Sequence, residues 1–241
     1  MTQRADLALV ARGLFASRAK AREAIEAGLV TMDGAVLRKP SELVGDNARL
    51  DAKAPYPWVS RGGVKLAAAL EVFAIDPKGR LALDVGASTG GFADVLLTRG
   101  AAHVTCVDVG SGQLHAKIAG DPRVTAWERF DARKLTLADL PGAPQLIVCD
   151  VSFISLALIL PSVLALAAPG AEAALLIKPQ FEAGPEAVKK GFVRDARVHE
   201  QVCEKIAALV DGLGWRVLGV VPSPIAGGDG NIEFLLGARR A

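Results

Sequence analysis

From residue 81 onward, short apolar runs alternate with helical patterns, and this alternation restricts the fold more than any other feature. Continuous apolar strands joined through helices are typical of a parallel sheet covered on both faces. The final two runs are joined by a loop alone, which predicts an antiparallel last strand. The predicted class is α/β with a mostly parallel seven-stranded sheet. The seven strand-like runs are Leu81–Val85, Val104–Val109, Val124–Trp127, Leu146–Val151, Ala174–Ile177, Trp215–Val221 and Ile232–Leu236.

Residues 1–51 have a different pattern and are predicted to fold as a small α+β domain. Ser17 is placed to cap a helix that Gly28 ends. The Asp33-Gly34 pair between two short apolar runs predicts a hairpin with a two-residue turn. An earlier helix is predicted to bury an apolar face formed by Leu7, Leu9, Val10, Leu14 and Phe15.

Charge is distributed unevenly between this domain and the rest of the chain. Residues 1–65 carry 11 Lys and Arg against 7 Asp and Glu, whereas the remaining residues carry 17 against 19. A basic N-terminal domain indicates an anionic partner. The prolines of Ala52–Pro57 indicate a linker, taken as residues 52–61, so that residues 62–241 form the second domain.

Cysteine usage and hydropathy favour a reduced, cytoplasmic protein. Cys106, Cys149 and Cys203 are scattered and lack the spacing of metal ligands or disulfides. The longest apolar run, Ile154–Ala168, is interrupted by Pro161. It is shorter than the roughly 18 to 20 apolar residues needed to span a bilayer. No membrane span is therefore predicted.

A glycine-rich turn joins the first strand of the sheet to a helix. Ligands of such sheets bind at the carboxyl ends of the strands, where glycines allow close backbone approach. The turn reads Asp-x-Gly-x-x-x-Gly-Gly over residues 84–91, unlike the Gly-x-Gly-x-x-Gly of a dinucleotide site. A carboxylate, Asp108, ends the next strand and is placed to accept hydrogen bonds from a ribose. A tight turn without a ligand and a nicotinamide site are the alternatives.

Four charged residues lie far apart in sequence but at element ends: Lys65, Asp150, Lys178 and Glu233. Buried charges cost several kcal/mol unless they are paired. Simple topology brings all four to the carboxyl edge of the sheet, since Asp150 and Lys178 end parallel strands and Glu233 begins the antiparallel one. The quartet is predicted to be a reaction centre, and two salt bridges holding strand ends are the alternative. Ser152 and Ser155 are predicted to cap the helix that follows them rather than to act as nucleophiles.

The stretch Gly13–Val30 and the Asp-Gly turn resemble the small RNA-binding domain named after a ribosomal small-subunit protein. Such domains hold the RNA backbone with cations of the helix and the hairpin. The resemblance implies RNA contacts by Arg4, Arg18, Lys20, Arg22, Arg38, Lys39 and Arg61.

The glycine turn resembles the first motif of S-adenosylmethionine-dependent methyltransferases, which implies a Rossmann-like fold and S-adenosylmethionine as the cofactor. In that reading Asp108 takes the ribose hydroxyls and Asp131 lies near the adenine amino group. No metal is predicted, because the sulfonium methyl is already activated. The implied cofactor-binding residues are Asp84, Gly86, Ser88, Thr89, Gly90, Gly91, Phe92, Asp108, Asp131 and Asp150.

The quartet resembles the Lys-Asp-Lys-Glu tetrad of ribose 2′-O-methyltransferases related to FtsJ. Together with the N-terminal domain it looks like the TlyA family of ribosomal RNA methyltransferases, historically called haemolysins. The stretches that match are Ser60–Leu66, Asp84–Phe92, Cys149–Ser155 and Ile177–Glu182. The implied activity is methyl transfer to a ribose 2′-hydroxyl of ribosomal RNA in ribosomal subunits, with Lys178 deprotonating or steering that hydroxyl.

Two other function classes compete with this one. A membrane-active haemolysin is suggested by the family's older name, but no spanning or strongly amphipathic basic helix is present in the sequence. An RNA-binding or ribosome assembly factor without catalysis would retain the N-terminal domain and lose cofactor binding. A monomer is favoured.

Overall fold

The computed structural model describes residues 2–241 and contains two compact units. The first ends at Pro57 and the second begins at Trp58. This boundary lies inside residues 52–61, the range predicted as a linker. Each unit has its own hydrophobic core.

The N-terminal unit combines two helices with short antiparallel strands. Strand β1 pairs with β4, and β2 pairs with both β3 and β5. Its core is built around buried Leu9, Ile25 and Leu37. The elements are β1 (Thr2–Arg4), α1 (Ala5–Ala11), α2 (Arg18–Glu26), β2 (Val30–Met32), β3 (Ala35–Val36), β4 (Leu43–Gly45) and β5 (Leu50–Ala52).

Local sequence explains where these elements begin and end. The Ser17 hydroxyl accepts a hydrogen bond from the Lys20 amide at 3.3 Å, which caps the start of α2. Asp33 and Gly34 both have positive φ, as a tight two-residue hairpin turn requires. The predicted apolar face of α1 is only partly correct. Leu14 is exposed, because the helix ends at Ala11 before the chain reaches it.

The second unit is a seven-stranded sheet with helices on both faces. Its elements are α3 (Gly62–Val72), β6 (Leu81–Val85), α4 (Gly91–Thr98), β7 (His103–Val107), α5 (Ala116–Ala119), β8 (Val124–Trp127), β9 (Leu146–Cys149), α6 (Leu156–Ala165), β10 (Glu172–Ile177), α7 (Pro179–Glu182), α8 (Ala196–Gly212), β11 (Trp215–Pro222) and β12 (Phe234–Arg240).

The strand order is β11-β12-β10-β9-β6-β7-β8, and only β12 runs antiparallel to its neighbours. This confirms the predicted class, a mostly parallel seven-stranded sheet whose last strand is reversed. Strand side chains alternate between two apolar layers, with α6 and α8 on one face and α3 and α4 on the other.

The register of the sheet decides which residues meet at its carboxyl edge. Val85 pairs with both Val107 and Cys149, so β6, β7 and β9 end at the same level. Asp150 follows β9 directly and Lys178 follows β10. Ile177 pairs with Phe234, the first residue of reversed β12, so the preceding Glu233 lies at this edge as well. Helix α3 begins at Gly62, so Lys65 lies in its first turn.

Candidate active site

The glycine turn after β6 brings the backbone close to the neighbouring strand. Gly86 has a φ of +82°, and a Cβ atom there would lie 2.5 Å from the Asp150 carbonyl oxygen. Any larger residue would therefore push β6 and β9 apart at this edge. Ser88 also has a positive φ, and Gly90 precedes α4 in the left-handed conformation. The turn is a tightly built cradle.

Asp108, at the end of β7, holds this cradle in place. One carboxylate oxygen accepts a hydrogen bond from the Ser88 amide at 2.8 Å, and the other accepts one from the Gly110 amide at 2.7 Å. A carboxylate offers about four lone-pair sites, so Asp108 keeps acceptor capacity for a ligand. Its positioning of Ser88 was not predicted from the sequence.

A cavity of about 530 Å³ opens beside the turn. This volume lies in the range of sites that enclose a small molecule. Among the predicted cofactor-binding residues, those lining it are Gly86, Ser88, Asp108, Asp131 and Asp150. The lining residues that were not predicted include Gln113, Phe130, Arg133, Ile154 and Ile159.

Asp131 lines this cavity and is bound by the side chain of Arg133. Arg133 contacts its carboxylate at 2.6 Å and 2.9 Å through two different nitrogens. The hydrogen bond from Arg133 lowers the pKa of Asp131 to about 2, so the carboxylate is ionised at neutral pH. A charged acceptor at this end of the cavity suits the predicted amino group of an adenine.

A second, smaller cavity of about 170 Å³ adjoins the first, and Gly86, Ser88, Asp150 and Ser152 line both. Thr89, Gly91 and Phe92 line only the smaller one, together with Ser60, Gly62, Lys65 and Lys178. Asp84 and Gly90, which were also predicted to bind the cofactor, line neither cavity.

The four charged residues form two ion pairs at this edge. Lys65 Nζ lies 2.5 Å from Glu233 Oε2, and Lys178 Nζ lies 2.6 Å from Asp150 Oδ1. Lys65, Asp150 and Lys178 line the smaller cavity, and Glu233 is joined to it through Lys65. Opposite charges at these distances offset part of the cost of burying each partner.

Lys178 has a second partner that the sequence did not indicate. Its ammonium donates to the Ser152 hydroxyl at 2.8 Å. The nearby Asp150 Oδ1 is buried without a well-aligned hydrogen bond, so that contact is an ion pair only. Of the two serines predicted to cap the following helix, the prediction is wrong for Ser152 and confirmed for Ser155. The Ser155 hydroxyl caps α6 by accepting a hydrogen bond from the Ala157 amide at 3.1 Å.

Asp84 lies inside the sheet behind the cradle. It is fully buried, and neither carboxyl oxygen has a well-formed hydrogen bond. Burial, followed by repulsion from Asp150, raises the pKa of Asp84 to about 8; a hydrogen bond from the Ala93 amide acts in the opposite direction, and Asp108 adds a smaller repulsion. Asp84 is therefore protonated at neutral pH, a buried acid without a cation.

The predicted RNA-binding cations occupy different surroundings. Arg4 and Arg18 both contact buried Asp6, at 3.0 Å and 2.9 Å. Lys20 lies over the ring of Tyr56. In the second unit, the Arg61 guanidinium donates to the Ala226 carbonyl at 2.8 Å. The exposed members of the set in the N-terminal unit include Arg22, Arg38 and Lys39.

Within residues 2–241, no helix is long and apolar enough to cross a membrane. Within the same range, no three His, Cys, Asp or Glu side chains are grouped so that they could hold a metal ion.

Comparison with known families assigns both units. Residues 58–240 match the model of the FtsJ-like methyltransferases, and residues 3–50 match the S4 domain. The sheet order, the glycine cradle and this match define the second unit as an FtsJ-like methyltransferase, a class that uses S-adenosylmethionine.

Full-length relatives narrow the assignment. The 16S/23S rRNA (cytidine-2′-O)-methyltransferase TlyA of Mycobacterium tuberculosis is 46% identical over 239 residues, which is 98% of this chain and 89% of that protein. YqxC of Bacillus subtilis, named as an rRNA methyltransferase, is 46% identical over 97% of this chain and 84% of its own. The chain belongs to the TlyA family.

A solved structure from Streptococcus thermophilus, named as a hemolysin, has the same architecture. It is 41% identical, with a TM-score of 0.79, and the similarity covers 100% of this chain and 89% of that one. The hemolysin name thus occurs on proteins with this methyltransferase fold.

Proposed function

We propose that this protein transfers a methyl group from S-adenosylmethionine to a ribose 2′-hydroxyl of ribosomal RNA. The observation that carries the proposal is the convergence of two lysine–carboxylate pairs on a small cavity that adjoins a cofactor-sized one. The name of the Mycobacterium tuberculosis relative describes the same reaction on cytidines of 16S and 23S RNA.

The larger cavity suits the cofactor in volume and in the chemistry of its lining. Its apolar walls suit an adenine, Asp131 suits the amino group, and Asp108 suits the ribose hydroxyls. The backbone at Gly86 approaches closely enough to pack against the remaining part of the ligand. Bound there, S-adenosylmethionine supplies an activated sulfonium methyl group.

The smaller cavity is assigned to the ribose that receives the methyl group. A hydroxyl is a weak nucleophile until its proton is removed or polarised, and a positioned side chain can do either. Lys178 is assigned to this hydroxyl, with Asp150 and Ser152 holding its ammonium in place. Lys65, oriented by Glu233, lies on the same cavity and fixes the ribose from a second direction.

The N-terminal unit is assigned to RNA binding. Exposed Arg22, Arg38 and Lys39 are available to phosphates, which are the usual partners of surface cations in RNA complexes. Such contacts fix position on the RNA without reading its sequence. Because ribosomal subunits are the proposed substrate, we expect the protein to act in the cytoplasm. We also expect it to be a monomer.

The decisive experiment incubates the protein with labelled S-adenosylmethionine and purified small subunits, large subunits or naked ribosomal RNA. Mapping of ribose methyl groups should find 2′-O-methylation in at least one of these substrates. Binding of the cofactor without any methyl transfer would instead favour an assembly factor. Methyl groups found on bases would contradict the assignment of the small cavity.

A further inference from the structure

A buried amide lies two residues before Glu233. Asn231 is 2% exposed, and its side chain bonds to backbone on a separate segment of the chain. The amide nitrogen donates to the Gly191 carbonyl at 2.9 Å, and the amide oxygen accepts from the Val193 amide at 3.4 Å. Asn231 therefore cross-links the start of β12 to the segment before α8.

The segment that Asn231 holds is itself well ordered by hydrogen bonds. Lys189 and Phe192 exchange two backbone hydrogen bonds, at 2.9 Å and 3.0 Å, around a two-residue turn. His199, in the first turn of α8, donates from Nε2 to the Val193 carbonyl at 2.9 Å. Side chains from two elements thus satisfy both backbone groups of Val193.

On its other side, Asn231 secures the loop that covers Glu233. Its backbone carbonyl accepts from the Gly227 amide at 2.9 Å. A Cβ atom on Gly227 would lie 2.5 Å from Glu233 Oε1, so the loop backbone rests against this carboxylate. Arg61 binds the preceding Ala226 carbonyl, which ties the loop to the segment that leads into α3 and Lys65.

We propose that Asn231 is a positioning residue for methyl transfer, and that it acts through Glu233 on Lys65. The inference rests on the proposed function. Without the side-chain amide, residue 231 keeps its backbone bond to Gly227 but is no longer held to Gly191 and Val193. The Gly227 backbone that packs against Glu233 is then less firmly positioned. A displacement of about 1 Å in an active site can cost roughly 100-fold in rate.

The test is a double-mutant cycle of Asn231→Ala and Glu233→Gln, read as single-turnover 2′-O-methylation at saturating RNA and cofactor. Asn231→Ala is expected to slow the reaction by about 10- to 100-fold. Its affinity for S-adenosylmethionine, measured by calorimetry, should stay within about twofold of wild type, the margin to which independent sites add. The double variant should be no slower than Glu233→Gln alone.

Gln145→Ala, at an exposed position, is the control. Its side-chain amide also accepts a backbone hydrogen bond, from Leu81 at 3.1 Å, but at the opposite edge of the sheet. This variant should react at the wild-type rate, and its effect should add to that of Glu233→Gln. If Asn231→Ala fails to bind the cofactor, Asn231→Leu replaces it in the cycle, because it keeps a side chain of similar shape and removes the amide's hydrogen bonds without adding a buried charge.

Two results would overturn the proposal: a wild-type rate for the Asn231 variant, or effects of Asn231 and Glu233 that multiply. Failure of the proposed function is distinguishable, because the wild-type protein would then methylate no ribose in the same assay.

Discussion

Acidic residues are buried at both edges of the same sheet, but they are paired with different cations. At the amino edge, Glu172 is 2% exposed and is bound by Arg80 and Arg239. At the carboxyl edge, two acids are each paired with a lysine beside a cavity. Charge burial alone therefore does not distinguish a reaction centre from a structural clamp.

The two edges differ in the type and the exposure of the cations that bind the buried acids. The side chains of Arg80 and Arg239 are 29% and 47% exposed, whereas those of Lys65 and Lys178 are 9% and 10% exposed. Arginine stays charged and grips a carboxylate with a rigid fork, while lysine is a compact donor that can take part in proton transfer. The arginines of the amino edge suit a clamp between strands, and the buried lysines of the carboxyl edge suit the proposed role of moving or polarising a proton.

The largest predicted effect is at the carboxyl edge. Lys178→Ala should reduce methyl transfer by about 10²- to 10⁴-fold, the usual contribution of a positioned acid or base. Cofactor affinity should be retained, because the larger cavity is lined by other residues. Single-turnover rates and calorimetry measure the two quantities. An unchanged rate would remove the distinction between the two edges.

Asp84, in the middle of the sheet, is a buried acid that no cation binds, and it can be compared with the paired acids at the two edges. Its folded-state pKa of about 8 lies above its ordinary value of 3.8, so between these values the folded protein holds a proton that the unfolded chain has released. Wild-type stability relative to Asp84→Asn should therefore fall as the pH rises through this window, by at most about 1.4 kcal/mol per pH unit. Urea unfolding at several pH values measures the difference. A difference that does not change with pH would show that Asp84 is ionised in the fold.

At the amino edge, Glu172→Gln should lower the free energy of unfolding by about 2 to 3 kcal/mol, because hydrogen bonds from charged groups are lost. The rate of methyl transfer per folded molecule should not change. Urea denaturation and single-turnover assays on the same preparation check both statements. A slower reaction with unchanged stability would mean that this clamp also contributes to the site.

The N-terminal unit offers a second two-arginine clamp, with the smallest expected effect. The hydrogen bond from Arg4, assisted by Arg18, lowers the pKa of Asp6 from 3.8 to about 2. The stability that this gives is present above the unfolded value and is lost as the pH falls towards 2. In acid unfolding followed by circular dichroism, Asp6→Asn should show less loss over this range. The solvent-exposed arginines keep the effect modest. Identical acid profiles would show that the pair adds nothing to stability.

The convergence of Asp150, Lys178 and Glu233 could be predicted because parallel strands end at one edge and a reversed strand begins there. The pairing within the quartet could not. Neither could the bond from Lys178 to Ser152, which depends on the path of the chain after β9. The glycine cradle was predictable from its spacing, whereas the role of Asp108 in holding Ser88 depends on the folded turn.

The start of β10 shows a different limit. The strand was predicted to begin at Ala174. It begins at Glu172 instead, because Arg80 and Arg239, the latter in β12, offset the cost of burying that carboxylate. Both arginines are remote in sequence, so no local pattern could reveal them.

Strand β12 sets the distance between the two charge clusters. Glu233 immediately precedes it, and Arg239 near its far end binds Glu172. If one residue between these positions were removed, the strand would be too short to make both contacts. A strand that kept Arg239 on Glu172 would pull Glu233 away from Lys65. The length of this strand is thus under a double constraint. Mutational scans should tolerate side-chain changes along it far better than insertions or deletions.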